Sequence, residues 1–180
     1  MRIISGKYKG RTIQMPKGIR PTQDKVRKAL FDILGDIAGL SFLELFAGSG
    51  AVGFEAASRG VTELTLVEHN RDCLRTIKQN IESLRLKACN LYPQEVEKTI
   101  KGFRKDKRRF DIIFLDPPYY HSLAKKTLQI LEAYDILTPS GFIVTQHFKK
   151  DNLPDNLGVL SLFRQSRYGD TLLSFYKKTG

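Results

Sequence analysis

Four consecutive residues, Asp116-Pro117-Pro118-Tyr119, combine an acid, a rigid turn and an aromatic ring. They follow the apolar run Phe110–Leu115, which predicts a buried strand, and ligands of open α/β sheets bind at the carboxyl ends of strands. The Asp116 carboxylate and the Pro117 carbonyl can accept hydrogen bonds from an exocyclic amine, and Tyr119 can stack on a flat ring. The tetrapeptide therefore predicts a site for an amino-bearing base. The alternative is a plain strand-ending turn, since prolines are common in loops.

A glycine loop follows the first strand predicted in the α/β region. Gly48, Gly50 and Gly53 form the pattern G-x-G-x-x-G between a predicted strand, Ser41–Phe46, and a predicted helix. Glu68 stands twenty residues after Gly48, at the predicted end of the second strand. This spacing is typical of a nucleoside-bearing cofactor, because glycines let the backbone approach a ligand and the acid can bind both ribose hydroxyls. A tight turn that only packs helix on strand is the alternative.

The acid Glu44, four residues before Gly48, distinguishes among such cofactors. A carboxylate at this loop disfavours the pyrophosphate of a dinucleotide and favours an ammonium group. S-adenosylmethionine carries an ammonium, a sulfonium and a ribose but no phosphate, so it is the predicted cofactor. We expect its sulfonium near the end of the strand that precedes Asp116, which would bring the two motifs to one pocket.

The formal net charge of +11 is unevenly placed along the chain. Residues 1–28 carry nine lysines and arginines and one acid, and a second basic run covers Lys101–Arg109. Such clustering is typical of nucleic-acid binding, with a solvated surface as the alternative. The cysteines and histidines give neither a disulfide framework nor a metal-ligand spacing, and no segment predicts a signal peptide or a membrane span. We therefore expect a cytoplasmic monomer without a metal.

Strand and helix patterns alternate along most of the chain, which predicts a doubly wound, mostly parallel α/β sheet of the Rossmann-like type. The last two strands, near residues 157–163 and 171–176, are expected to form an antiparallel pair. Residues 1–21 predict a basic N-terminal β-hairpin extension that binds RNA. Residues 22–180 predict the cofactor-binding domain.

Local signals predict where individual elements begin and end. The N-terminal hairpin is expected to pair Arg2–Ile4 with Arg11–Met15. The first helix is expected to continue past Gly35 to about Gly39, and Pro93 to stand in the first turn of a helix that ends near Phe103. The expected helix N-caps are Thr22, Asn70 and Ser122.

The chain resembles the bacterial methyltransferases of the small-subunit ribosomal RNA methyltransferase D type over nearly its whole length. The segments that carry the resemblance are Arg2–Gly6, Gly10-Arg11, Arg20-Pro21-Thr22, Leu43–Gly50, Glu68 and Asp116–Tyr119. The resemblance implies a class I, S-adenosylmethionine-dependent fold. It also implies methyl transfer to the exocyclic N(2) amino group of a guanine in 16S ribosomal RNA, either free or in a small-subunit assembly particle.

The resemblance also implies roles for individual residues. On the cofactor these are Glu44, Phe46, Ala47, Gly48, Ser49 and Gly50 for the methionine part, Glu68 for the ribose and His69 beside the adenine. The implied catalytic residues are Asp116, Pro117 and Tyr119, and the implied RNA contacts are Lys7, Lys9, Arg11, Arg20, Thr22, Pro118 and Tyr119. Three positions depart from the family pattern: Glu44 replaces the more frequent aspartate, Asn90-Leu91-Tyr92 lacks an acid near the adenine, and Gln146 replaces the frequent glutamate.

Three other functions fit parts of the sequence. Amino-methyltransferases of DNA or of protein glutamine have similar tetrapeptides, but the basic hairpin argues against protein and the lack of a large recognition domain against sequence-specific DNA. An amino-methyltransferase of another RNA stays open. A dinucleotide-dependent oxidoreductase fits the glycine loop but not Glu44. A non-catalytic RNA-binding protein that retains the fold stays open.

Overall fold

The structure is a computed structural model that describes residues 1–18, 23–118 and 122–179. Arg20, Thr22 and Tyr119, for which roles are predicted above, lie outside these ranges. The chain divides into two compact units, Met1–Gln94 and Glu95–Gly180. None of the described helices is both long and apolar enough to cross a membrane.

The first unit places a three-stranded parallel sheet among three helices. Its strand order is β3-β2-β1, with Leu45 opposite Val67 and Glu68 opposite Pro93. Parallel strands bring their carboxyl ends to one edge, so the residues after β1 and the end of β2 lie at the same edge. The elements are α1 (Asp24–Leu34), β1 (Ser41–Leu45), α2 (Ala51–Ser58), β2 (Glu63–Glu68), α3 (Arg71–Leu84) and β3 (Cys89–Pro93).

The second unit continues the α/β pattern and then becomes antiparallel. Its strand order is β4-β5-β8-β7-β6, in which β4 and β5 are parallel and the other neighbours are antiparallel. The predicted antiparallel C-terminal pair is thereby confirmed. The elements are α4 (Val96–Lys105), β4 (Phe110–Leu115), α5 (Leu123–Tyr134), β5 (Leu137–Phe148), β6 (Asn156–Leu157), β7 (Leu160–Tyr168) and β8 (Thr171–Lys178).

One helix-start prediction is wrong, and another is right in position but not in its capping hydrogen bond. Pro93 does not begin a helix but ends β3, where it pairs with Glu68, and α4 begins at Val96. The missing N–H of a proline is tolerated there because β3 is an edge strand. Ser122 precedes α5, but its φ of 54° turns it into the left-handed region and its side chain makes no capping hydrogen bond. In contrast, Asn70 accepts from the backbone N–H of Asp72 and Cys73, as predicted.

The first helix is shorter than predicted. It ends at Leu34 rather than near Gly39, and Gly35 follows with a φ of 68°. Glycine adopts this left-handed conformation without the steric cost that other residues bear, so it ends the helix.

The N-terminal segment, residues 1–18, contains the predicted hairpin, although its pairing is short. Arg2 and Thr12 form an antiparallel bridge, the N–H of Ile3 donates to the carbonyl of Arg11 at 3.0 Å, and the N–H of Ile13 donates to the carbonyl of Met1 at 2.8 Å. The segment also bonds to α2, where both carboxylate oxygens of Glu55 are used: they accept from the N–H of Ile4 and Ser5 at 2.7 and 3.0 Å. The segment is therefore docked onto the first unit.

Gly6 permits this docking. Its φ is 78°, and a Cβ on it would stand 1.8 Å from the carbonyl oxygen of Ser58. The next residue, Lys7, donates its backbone N–H to the same oxygen at 2.7 Å. No residue with a side chain fits this position without moving the segment away from α2.

Candidate functional site

The glycine loop joins β1 to α2 and is fixed by its neighbours. The N–H of Ala47 donates to the carbonyl of Val67 at 3.0 Å, which ties the loop to β2. The amide of Asn80 on α3 donates to the carbonyl of Ser49 at 3.3 Å. Gly50 is the N-cap of α2 in the left-handed conformation. The loop is thus held from two sides by its own unit.

Glu44 is buried beneath the loop, with 3% of its surface exposed. Its Oε2 accepts from the N–H of Gly53 in the first turn of α2 at 2.8 Å. A Cβ on Gly53 would stand 2.7 Å from that oxygen and 2.6 Å from Leu66, so the third glycine is required for the helix to pack on the strands. An anion at a helix N-terminus is stabilised by the helix dipole. Glu44 therefore supports α2 and places negative charge under the loop.

Glu68 ends β2 and is only 7% exposed. Its Oε2 accepts from the N–H of Gly48 at 2.8 Å, and its Oε1 accepts from the N–H of His69 and of Asn70, each at 2.8 Å. Charge-assisted bonds to backbone amides hold the carboxylate in one orientation. A carboxylate offers about four acceptor positions, so it retains capacity for a further hydroxyl donor. The glycine loop and Glu68, which the sequence relates only by spacing, are therefore in direct contact in the structure.

Asp116 follows β4 and is half-buried, with Pro117 buried and Pro118 exposed behind it. The side-chain amide of Gln146 donates to Asp116 Oδ2 at 2.8 Å. Leu115 is opposite Thr145 in the parallel pair β4–β5, which brings the next residues of both strands together. Gln146 is 5% exposed, and its Oε1 has no hydrogen-bond partner within the described residues. Gln146 stands out in the sequence only as a departure from the family pattern, and its contact with Asp116 depends on the register of β5 on β4.

Comparison with known proteins decides the family. The family model described as "Conserved hypothetical protein 95" matches residues 1–177. The chain is 38% identical over 184 residues to YlbH of Bacillus subtilis, covering 100% of both chains. It is 33% identical over 182 residues to the Ribosomal RNA small subunit methyltransferase D of Escherichia coli strain K12, covering 99% of this chain and 90% of that one.

The chain belongs to the small-subunit ribosomal RNA methyltransferase D family. Two solved structures match it with a TM-score of 0.87: yhhF from Escherichia coli, 30% identical over 99% of this chain and 97% of that one, and a hypothetical protein of Thermus thermophilus, 34% identical over 99% of each. The predicted Rossmann-like methyltransferase fold, with a mostly parallel sheet and antiparallel C-terminal strands, is thereby confirmed.

A buried polar chain lies on the other face of β5. His147 is 1% exposed, its Nε2 lies 2.8 Å from Ser174 Oγ, and Gln165 donates to the same oxygen at 2.9 Å. Burial lowers the pKa of His147, so its ring is neutral at pH 7. Because neighbouring strand residues point to opposite faces, His147 faces away from Gln146 and Asp116. In this family member it stabilises the β5–β8 pair rather than serving Asp116.

The basic N-terminal segment contains both exposed and structural cations. Lys7, Lys9 and Arg11, for which RNA contact is predicted, are all exposed, although Arg11 donates to the carbonyl of Ser83 at 2.5 Å. Arg27, counted among the basic residues of this region, is instead fully buried and donates to the carbonyl of Arg2 at 2.6 Å. Burial lowers the pKa of Arg27, and Asp24 partly offsets this effect. Arg27 therefore holds the segment on α1 and is not available to RNA.

The cysteines are not nucleophiles at neutral pH. Burial raises the pKa of Cys73 to about 11 and that of Cys89 to about 12, so both thiols stay protonated. Across the part of the chain that the structure describes, no group of three or more His, Cys, Asp or Glu side chains could hold a metal ion.

Proposed function

We propose that this protein transfers a methyl group from S-adenosylmethionine to the exocyclic N(2) amino group of a guanine in small-subunit ribosomal RNA. The observation that carries the proposal is the Asp116 carboxylate held by Gln146 at the carboxyl end of β4, followed by two prolines. Membership of the methyltransferase D family supports it, since the Escherichia coli relative is named for the small ribosomal subunit.

The glycine loop and Glu68 fit the cofactor. Glu68 is fixed by backbone N–H groups and can still accept from a ribose hydroxyl. The buried charge of Glu44 favours the cationic amino-acid part of the cofactor near the loop, where Phe46, Ala47, Gly48, Ser49 and Gly50 would line it. His69, with an exposed ring, would lie beside the adenine. The bound cofactor supplies an electrophilic methyl group on a sulfonium.

The acceptor amine would be positioned by Asp116 and the Pro117 carbonyl. Each would accept one amino hydrogen, which draws the nitrogen toward tetrahedral geometry and directs its lone pair at the methyl carbon. Correct positioning of this kind supplies a large share of the rate of a two-substrate reaction. The target guanine must leave its stack, and stacking on Tyr119 would offset this by roughly 1–3 kcal/mol. After transfer, Asp116 would take the proton from the methylated amine or pass it to water.

The N-terminal residues 1–21 would hold the RNA, and the protein would act as a cytoplasmic monomer. Lys7, Lys9 and Arg11 would contact phosphates, and Arg20 and Thr22 would lie closer to the base. Replacing Lys7, Lys9 and Arg11 together by glutamine should lower the dependence of RNA affinity on salt by roughly 0.7–0.9 in log–log slope per lost contact. An unchanged slope would show that these side chains do not touch RNA.

Two measurements test the proposal against its alternatives. S-adenosylmethionine, but not NAD, should raise the melting temperature of the protein, because only the former matches Glu44 and Glu68. The protein should then transfer a labelled methyl group to small-subunit RNA or particles isolated from a strain that lacks it. Stabilisation by NAD would favour an oxidoreductase, and cofactor binding without transfer would favour a non-catalytic RNA-binding protein.

A further inference from the structure

A recess in the second unit collects cationic side chains around the connection from α4 to β4. It has a volume of about 400 Å³. We call it the basic recess, and it is lined by Arg104, Lys105, Lys107, Arg108, Arg109 and Asp135. Five cations and one carboxylate in so small a space give it a strongly positive potential.

The one carboxylate in the lining is already paired. Asp135 Oδ2 lies 3.0 Å from Arg109 Nη2, and its Oδ1 lies 2.6 Å from Lys178 Nζ. Burial alone would raise the pKa of Asp135, but Lys178 and Arg109 hold it below its ordinary value. Asp135 is therefore ionised at neutral pH and engaged with these two cations, so it does not neutralise the rest of the recess.

Three cations of the recess form no ion pair within the described residues. Arg104, Lys105 and Lys107 are exposed, and none of them forms an ion pair with any residue that the structure describes. Asp106 stands between them in sequence but does not line the recess. The negative end of the α4 dipole explains cations in the last helical turn, yet Lys107 and Arg109 lie beyond the helix.

The recess is also rigid on its inner side. The Arg108 guanidinium lies 4.8 Å from the ring centre of Phe103 and 5.1 Å from that of Phe110. Arg109 donates to the carbonyl of Leu137 at 2.9 Å. Cations whose positions are fixed in advance lose little side-chain entropy when a polyanion binds.

The recess lies far from the residues proposed for methyl transfer within the same unit. It surrounds the amino end of β4, whereas Asp116 follows the carboxyl end. A strand of this length spans roughly 20 Å at about 3.3 Å per residue. A nucleotide held at Asp116 therefore cannot also fill the recess.

We propose that the basic recess binds the phosphate backbone of the substrate RNA at a distance from the target guanine. The inference rests on the proposed function and adds to it a second RNA contact, which a long RNA bound at Asp116 can reach and a short hairpin cannot. Phosphate contacts of this kind orient a protein on a nucleic acid without reading sequence.

The test compares two charge-matched triple variants. One replaces Arg104, Lys105 and Lys107 by glutamine. The control replaces Lys78, Lys87 and Lys150, which are exposed elsewhere, and so removes the same net charge. Equilibrium binding is measured without cofactor, between about 50 and 200 mM salt, for full-length small-subunit RNA and for a short hairpin that contains the methylated guanine.

The recess variant should bind full-length RNA about fivefold more weakly, with a log–log salt slope lower by roughly two, and should bind the hairpin like wild type. The control should bind both RNAs like wild type. The inference would be overturned if both triple variants lost the same RNA affinity, if the recess variant lost the same affinity for both RNAs, or if it lost none. If the melting temperature of the triple variant is well below that of wild type, the double variant Lys105→Gln, Lys107→Gln is used instead, because it keeps Arg104 in the helix.

Failure of the proposed function would look different. Wild-type protein would then bind the RNA with the recess-dependent salt slope but transfer no methyl group.

Discussion

Two carboxylates stand at strand ends in this molecule and are held in different ways. Glu68 accepts from three backbone N–H groups, those of Gly48, His69 and Asn70. Asp116 accepts from a side chain, the amide of Gln146. Backbone donors move only when their whole element moves, whereas a side chain can be exchanged without disturbing the strand. Glu68, at the predicted cofactor site, is thus tied to the backbone of its own unit, whereas the contact between Gln146 and Asp116, at the predicted acceptor site, can be changed by one side-chain substitution.

The largest effect is expected at Asp116. Asp116→Ala removes the acceptor that orients the amine, so the single-turnover rate of methyl transfer should fall about a thousandfold. Binding of S-adenosylmethionine, measured by calorimetry, should stay within about twofold of wild type, because Glu68 and the glycine loop are untouched. Asp106→Ala, an exposed acid of the same unit, is the control and should keep full activity. A wild-type rate in Asp116→Ala would remove this residue from the mechanism.

Glu68→Gln should weaken cofactor binding but leave the transfer rate at saturating cofactor unchanged, which is the opposite of Asp116→Ala. Glutamine offers one acceptor oxygen instead of two, so either Gly48 or the pair His69 and Asn70 loses its partner. Hydrogen bonds to a charged group contribute about 1.5–3 kcal/mol, and the dissociation constant for S-adenosylmethionine should therefore rise between about tenfold and a hundredfold. The melting temperature should fall as well. A lower transfer rate at saturating cofactor, with unchanged affinity for S-adenosylmethionine, would contradict the assignment of Glu68 to the cofactor and Asp116 to the acceptor.

Gln146 tests whether the acceptor end depends on a side chain. Gln146→Leu removes the donor to Asp116 and also the unpartnered Oε1, so stability should hold while the transfer rate falls about tenfold. Gln146→Glu places two carboxylates within hydrogen-bond distance, and both cannot be ionised without repulsion. That variant should be most active at low pH, where the introduced carboxyl group is protonated and can donate, and should lose activity as the pH rises. A pH–rate profile that matches wild type would show that Gln146 does not position Asp116.

The smallest effect concerns His147, the neighbour of Gln146 on the opposite face of β5. Burial lowers its pKa in the folded state, so below the unfolded pKa of about 6.5 the unfolded chain binds a proton that the folded chain refuses. The contribution of His147 is constant above that pH and becomes destabilising as the pH falls. The free energy of unfolding, measured from pH 8 to 5.5, should decline less in His147→Gln than in wild type. Equal slopes would mean that His147 binds a proton as readily in the folded protein as in the unfolded chain, so that its pKa is not lowered.

Local sequence signals predicted the strands that carry the site. Phe110–Leu115 is an unbroken apolar run followed by prolines, and β4 has those bounds. The loop after β1 and the cap at Asn70 were also predicted from the sequence, because glycine spacing and capping residues act over only a few positions. Glu68 was predicted at the end of the second strand, and β2 ends there.

Contacts between residues far apart in the sequence could not be predicted from local signals. Glu55 sits inside α2, and nothing near it in sequence shows that it binds the backbone of Ile4 and Ser5. The N-terminal hairpin was predicted from its local pattern, but its docking onto α2 through these two backbone N–H groups was not. Pro93 was misplaced because a proline suits an edge-strand end and a helix start equally well. The contact of Gln146 with Asp116 required the register of β5 on β4.

The identity of the methylated nucleoside tests the central claim most directly. Small-subunit RNA from a strain that lacks the protein is treated with purified protein and S-adenosylmethionine, digested to nucleosides and analysed by mass spectrometry. The account predicts N(2)-methylguanosine, formed by wild type and absent with Asp116→Ala. A methyl group on an adenine or a cytosine instead, or the same product from both proteins, would contradict it.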